Sequence, residues 1–70
     1  MNAWLPALAP LPWKAVYTRT VRELLLVVAD HGSYSKWWIQ TGWDGQVLQE
    51  GIASRLPDAQ QAAIAATVNL

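Results

Sequence analysis

The sequence contains no cysteine, so neither disulfide bonds nor cysteine-ligated zinc can stabilise its fold. This absence is typical of proteins in a reducing cytosol, and we expect a cytoplasmic protein. Excess charge is also lacking, because five basic side chains balance five acidic ones. Proteins that bind nucleic acid usually carry an excess of Lys and Arg, since counterion release supplies much of their affinity. The charge balance therefore disfavours nucleic-acid binding.

Long apolar runs are missing as well. No stretch approaches the ~20 unbroken apolar residues of a membrane-spanning helix. The apolar start of the chain has no basic segment, and Pro6, Pro10 and Pro12 would interrupt the helix of a secretory signal. We therefore expect a protein that is not secreted and has no membrane partner.

Residues suited to catalysis or metal binding are few. His31 is the single histidine, and a catalytic interpretation would pair it with Asp30 and Ser33. Neighbours on one tight turn rarely reach the geometry of nucleophile, base and orienting group, so a turn-forming Asp and a solvated His are expected. The carboxylates form no acid–base pair by spacing, and metal ligands are too few. We predict no enzymatic activity, no metal and no cofactor.

The N-terminal residues 1–12 are predicted to be an extended, proline-rich arm. Prolines two to four positions apart prevent a regular helix and favour a polyproline-like course. Trp4 and Leu5 are among the large apolar side chains of this arm, and they require cover. We expect the arm to lie across residues 13–70, which form a single domain, or to pack against another chain.

The first part of that domain has the patterns of β-strands. WKAVYT alternates in polarity, and RELLLVVAD is a continuous apolar run, typical of a central strand covered on both faces. SKWWIQTGW and QVLQEGIAS form the next pair, and Asp44-Gly45 between them favours a two-residue hairpin turn. Gly51 leaves room for a tryptophan across this hairpin.

The last segment, RLPDAQQAAIAATVNL, predicts a C-terminal helix. Pro57 suits the first helical turn, and Asp58 beside it is favoured by the helix dipole. The alanines form a stripe of small side chains that lets the helix lie close to a sheet. The predicted fold is α+β, with three to four antiparallel strands, one C-terminal helix packed on one face and the extended arm.

The tryptophans suggest where a partner binds. Alternation along a strand places Trp38 on the opposite side from Trp37 and Trp43. One helix covers only one face of a sheet, so at least one of these side chains faces away from it. Tryptophans of a small chain usually fill its core, but they are also enriched in binding hot spots. Cover for the second face is expected from the arm, from a second copy of the chain or from a different partner.

Residues 37–66, WWIQTGWDGQVLQEGIASRLPDAQQAAIAA, resemble the strand, Asp-Gly turn, strand and Ala-rich helix at the end of short phage and prophage proteins. The pattern also resembles the arm-binding domains of phage integrases, which read DNA from their sheet face. The sheet of those domains carries several Arg and Lys, whereas the strands of this chain carry mainly Trp and Gln. The resemblance implies a phage or mobile-element protein.

We therefore hypothesise a non-enzymatic protein-binding module, acting as a phage or mobile-element inhibitor of a host protein or as a homodimer. Its candidate partner-binding residues are Trp4, Lys36, Trp38, Gln40 and Trp43. The alternative is a nucleic-acid-binding domain in which Trp38 or Trp43 stacks on bases. Its candidate phosphate contacts are Lys14, Arg19, Arg22 and Lys36.

Overall fold

The structure, a computed structural model, describes residues 4–70, so residues 1–3 of the predicted arm lie outside the described residues. Within residues 4–70 a meander of five antiparallel strands forms one sheet, in the order β1-β2-β3-β4-β5. The strands are β1 (Leu5–Ala7), β2 (Ala15–Val21), β3 (Leu24–Asp30), β4 (Ser35–Gln40) and β5 (Val47–Ala53). The helix α1 (Leu56–Ala66) follows, and a short 3₁₀ turn (Thr67–Asn69) continues it.

The predicted α+β class, with an antiparallel sheet and a C-terminal helix, is confirmed, but the predicted count of three to four strands is wrong. The additional strand is β1, which the proline-rich arm contributes by pairing Leu5 with Thr18 and Ala7 with Val16. Pro6 is tolerated there because an edge strand needs hydrogen bonds along only one side of its backbone. The pattern of the arm is too short and too rich in proline to indicate a strand.

The apolar run of β3 forms the centre of the sheet, as predicted. Its residues from Leu25 to Ala29 are all buried, and β2 and β4 pair with its two edges. Leu26 and Val28 belong to the core beneath the helix. Alternation then places Leu25, Val27 and Ala29 on the opposite face of the sheet.

The helix covers one face through its small side chains. Ala59 and Ala63 are fully buried and pack in one cluster with Leu26, Val28, Trp37 and Ile39 of the sheet. Pro57 lies at the start of α1 and Asp58 in its first turn, as the sequence predicts. Because alanine side chains are small, they allow α1 to pack close to the sheet. The helix covers this face only and leaves the other face of the sheet without a helix.

Gly51 of β5 accommodates Trp37 of β4, its register partner. A Cβ atom at position 51 would lie 2.6 Å from Cζ2 of the Trp37 indole, so only glycine leaves space for the ring. The predicted packing of a tryptophan over Gly51 is confirmed. Trp37 is thereby held in the core, whereas its neighbour Trp38 pairs with Val27 on the other face.

The β4–β5 connection differs from the predicted two-residue hairpin. Its turn is one residue earlier, since the Gly45 N–H donates to the Gly42 carbonyl at 3.1 Å and leaves Trp43 and Asp44 at the centre. The Thr41 hydroxyl accepts from the Gln46 N–H at 3.1 Å and closes a longer loop. The strand therefore ends at Gln40, and the prediction that Trp43 shares a strand face with Trp37 is wrong.

We predict that Gly51→Ala lowers the free energy of unfolding by about 1–3 kcal/mol, because the new methyl group forces the Trp37 ring out of its packed position. Urea denaturation monitored by circular dichroism measures this change. Gln49→Ala is the matched control, since Gln49 is an exposed residue of the same strand. Its effect should stay within about 0.5 kcal/mol. Equal stabilities for Gly51→Ala and the wild type would show that Trp37 does not depend on this close approach.

Candidate interaction surface

The sheet has a face that α1 does not cover, and we call it the helix-free face. The strand registers define it as a set of side chains that runs from Leu5 on β1 to Ile52 on β5. Its central members are Thr18, Leu25, Val27 and Ala29. Its outer members include Leu5, Lys36, Trp38, Gln40, Val47, Glu50 and Ile52.

The helix-free face has a buried centre and exposed edges. Ala29 and Val27 at the centre are only 0% and 7% exposed. Leu5 on one edge strand and Ile52 on the other are 61% and 68% exposed. Large aliphatic groups on both edges remain in water, which is unfavourable unless another molecule covers them.

Trp38 is the largest side chain of this face and has a fixed orientation. Its indole N–H donates to Oε1 of Gln40 at 2.8 Å. The amide nitrogen of Gln40 donates in turn to the carbonyl groups of Gly42 and Trp43, at 3.1 Å for Trp43. Because the polar atom of the half-buried indole is already satisfied, its ring face can contact an apolar partner without losing a hydrogen bond. Gln40 thus acts as a positioning residue for Trp38.

The charges on this face compensate one another. Lys36 Nζ lies 3.3 Å from Glu50 Oε1, and the two side chains are 39% and 59% exposed. The two residues are diagonal neighbours, since Lys36 pairs with Ile52 while Glu50 pairs with Trp38. An exposed pair of this kind adds little to stability in salt solution. Its consequence is that the helix-free face is electrically neutral.

Two of the predicted partner-binding residues lie elsewhere. Trp4 packs against the core cluster on the helix side, where the Arg19 guanidinium carbon lies 5.9 Å from its ring centroid. Trp43 is 73% exposed in the β4–β5 loop, next to the end of the helix-free face. The structure therefore brings together Lys36, Trp38 and Gln40, with Trp43 beside them, and separates Trp4 from this group.

The predicted phosphate contacts are dispersed. Arg22 lies in the β2–β3 turn, and its guanidinium donates to the Thr67 carbonyl. Lys14 lies against Gly32 at the β3–β4 turn, and Arg19 pairs with Leu26 on the helix side. Among the described residues 4–70, Lys36 is the one member of the predicted set on the helix-free face.

An aromatic cluster at the β3–β4 turn does not follow from the sequence patterns. His31 stacks on Tyr34 with ring centroids 4.9 Å apart, and Trp13 meets both rings edge-on at 5.8 and 6.2 Å. The expectation of a solvated His31 is therefore wrong, because its ring is half-buried and Nδ1 has no hydrogen-bond partner among residues 4–70. Trp13 and His31 are distant along the chain, and only the antiparallel pairing of β2 with β3 brings them together.

Ile52 and Leu5 are the two most exposed aliphatic residues of the helix-free face, and the sequence interpretation did not include them in the site. For Ile52 a signal existed, since alternation in β5 places it on the same face as Glu50. For Leu5 the signal was absent, because its position on the face depends on the pairing of β1 with β2.

Residues 4–70 contain no pocket and no group of three His, Asp or Glu side chains that could hold a metal ion, so the candidate site is an open surface. None of the helical segments in this range is long and apolar enough to cross a membrane. No known protein family, curated protein or solved structure matches the chain.

We predict that Gln40→Ala releases the Trp38 indole. Its N–H should exchange with solvent several-fold faster in ¹⁵N–¹H NMR spectra, and the free energy of unfolding should fall by about 1 kcal/mol. Gln60→Ala on α1 is the matched control and should leave this indole signal unchanged. An unchanged exchange rate in Gln40→Ala would mean that the hydrogen bond does not hold the ring.

Proposed function

We propose that the protein is a non-enzymatic protein-binding module that binds its partner on the helix-free face. The observation that carries the proposal is an apolar sheet face with a fixed Trp38 ring and exposed Leu5 and Ile52 at its edges. Apolar patches larger than a few hundred Å² seldom stay bare on a monomer, and tryptophan is enriched among hot-spot residues.

The course of the arm supports a partner from outside the chain. Residues Leu5–Ala7 lie beside β2 as an edge strand, so they extend the sheet instead of covering its second face. Leu8 and Leu11 of the same arm are almost fully exposed. The described part of the arm therefore does not cover the second face. This supports cover by a second copy of the chain or by a different protein.

The charges of the face favour a protein partner over nucleic acid. Lys36 is already paired with Glu50, and the other predicted phosphate contacts point to the helix side or lie at turns. A phosphate backbone would therefore meet one compensated cation here, which gives little of the counterion release that drives such binding.

The resemblance of residues 37–66 to short phage and prophage proteins supports a more specific form of the proposal. In this form the module belongs to a phage or mobile element, works in the cytoplasm and inhibits a host protein, or acts as a homodimer. It requires no cofactor.

We predict that Ile52→Glu weakens association through the helix-free face at least tenfold, since it places a charge in the apolar contact. The fold should persist because Ile52 is exposed and its register partner is Lys36. The measurements are sedimentation of the purified protein and capture of proteins by immobilised wild type and variant. Circular dichroism establishes that each variant is folded.

Val68→Glu is the matched control, because Val68 is a β-branched side chain that is 79% exposed in the 3₁₀ turn after α1. It should behave as the wild type in both measurements. If neither self-association nor capture depends on Ile52, the helix-free face is not a protein-binding surface. Saturable binding of a random oligonucleotide at low salt would favour the nucleic-acid alternative instead.

A further inference from the structure

We propose that the occupant of the helix-free face is a second copy of this chain, so that two sheets pack face to face about a two-fold axis. This inference rests on the proposed function, because it identifies the protein that the face binds. Three observations carry it: the area of the face, the distribution of its large and small side chains, and its charge.

The area matches the need of a small dimer. Four strands of six or seven residues and the shorter β1 form the face. At about 4.8 Å between strands and about 3.3 Å per residue, its projected area is roughly 450–500 Å². Two such faces bury about 1,000 Å² together, which is the lower limit of a specific interface. The contact would cover about a tenth of the 4579 Å² surface of each copy, as is common in small proteins.

Two of the large side chains on the face have small counterparts on the other side of β3. Trp38 and Ile52 lie on β4 and β5, whereas Thr18 and Ala7 lie in the corresponding rows on β2 and β1. A two-fold rotation about an axis along β3 places β5 of one copy over β1 of the other, and β4 over β2. Trp38 then lies over Thr18 of the second copy, and Ile52 over its Ala7. The same rotation places Leu5 over Glu50 of the second copy, whose carboxylate is paired with Lys36. Sheets packed in this manner lie about 10 Å apart with interdigitated side chains.

The charges permit this packing. Among the strand residues of the helix-free face, Lys36 and Glu50 are the charged ones and they pair with each other, and the whole chain has no net charge. A second copy is therefore not repelled, whereas a strongly acidic or basic partner would find no complementary field. A neutral face of this kind is compatible with a homodimer interface, in which two identical faces pack together.

The test uses opposite charge reversals on the same face. Lys36→Glu leaves two acidic groups there and Glu50→Lys leaves two basic groups, so each variant should repel its own copies. We expect the wild type, with a chain mass of 7.8 kDa, to sediment as a dimer. Each reversal alone should weaken dimerisation at least tenfold, and an equimolar mixture should restore it as a heterodimer. Asp58→Lys is the matched control, because Asp58 is exposed on the helix, and it should leave dimerisation unchanged.

Sedimentation equilibrium measures the affinities, and native mass spectrometry identifies the heterodimer. A wild type that stays monomeric at hundreds of micromolar overturns the inference. If a lysate protein is then captured in an Ile52-dependent way, the proposed function survives with a different partner; without such capture, both fail. A dimer that ignores the reversals, or a mixture that stays monomeric, would place the copy on another surface and overturn the inference as well.

Discussion

The rest of this structure depends on one constraint: a single helix, whose packed face consists of small alanine side chains, covers one side of the sheet. Ala59 and Ala63 seat α1 against Leu26 and Ile39, and the close fit of Trp37 over Gly51 completes the same layer. A 70-residue chain has little further material for burying apolar surface. The second face of the sheet is therefore left without a helix.

The residues of that second face follow from this constraint. Central residues such as Ala29 are buried, the Trp38 indole is hydrogen-bonded to Gln40, and the edge residues Leu5 and Ile52 are exposed. The surface is neutral, because Lys36 and Glu50 pair within it. The proposal that this face binds a protein rests on its apolar character, the hydrogen-bonded ring of Trp38 and the paired charges.

Much of this arrangement could be predicted from local patterns. The continuous apolar run of β3, the Pro-Asp start of α1 and the space above Gly51 are properties of neighbouring residues, so the sequence shows them directly. The strand β1, the longer β4–β5 loop and the aromatic cluster around His31 depend on contacts between distant segments. The same holds for the candidate site. Alternation along the strand was enough to predict that Trp38 and Trp37 lie on opposite faces, whereas the positions of Trp4 and Leu5 depend on the pairing of the arm with β2.

Accessibility of two isoleucine methyl groups tests most directly whether the second face is open in one chain and covered in the complex. Ile39 on the helix side is 0% exposed, and Ile52 on the helix-free face is 68% exposed. With a soluble paramagnetic probe, the Ile52 methyl signal of dilute monomer should broaden strongly while that of Ile39 stays sharp, and raising the protein concentration should protect Ile52. An Ile52 signal as sharp as that of Ile39 in the dilute monomer would show that a single chain covers both faces.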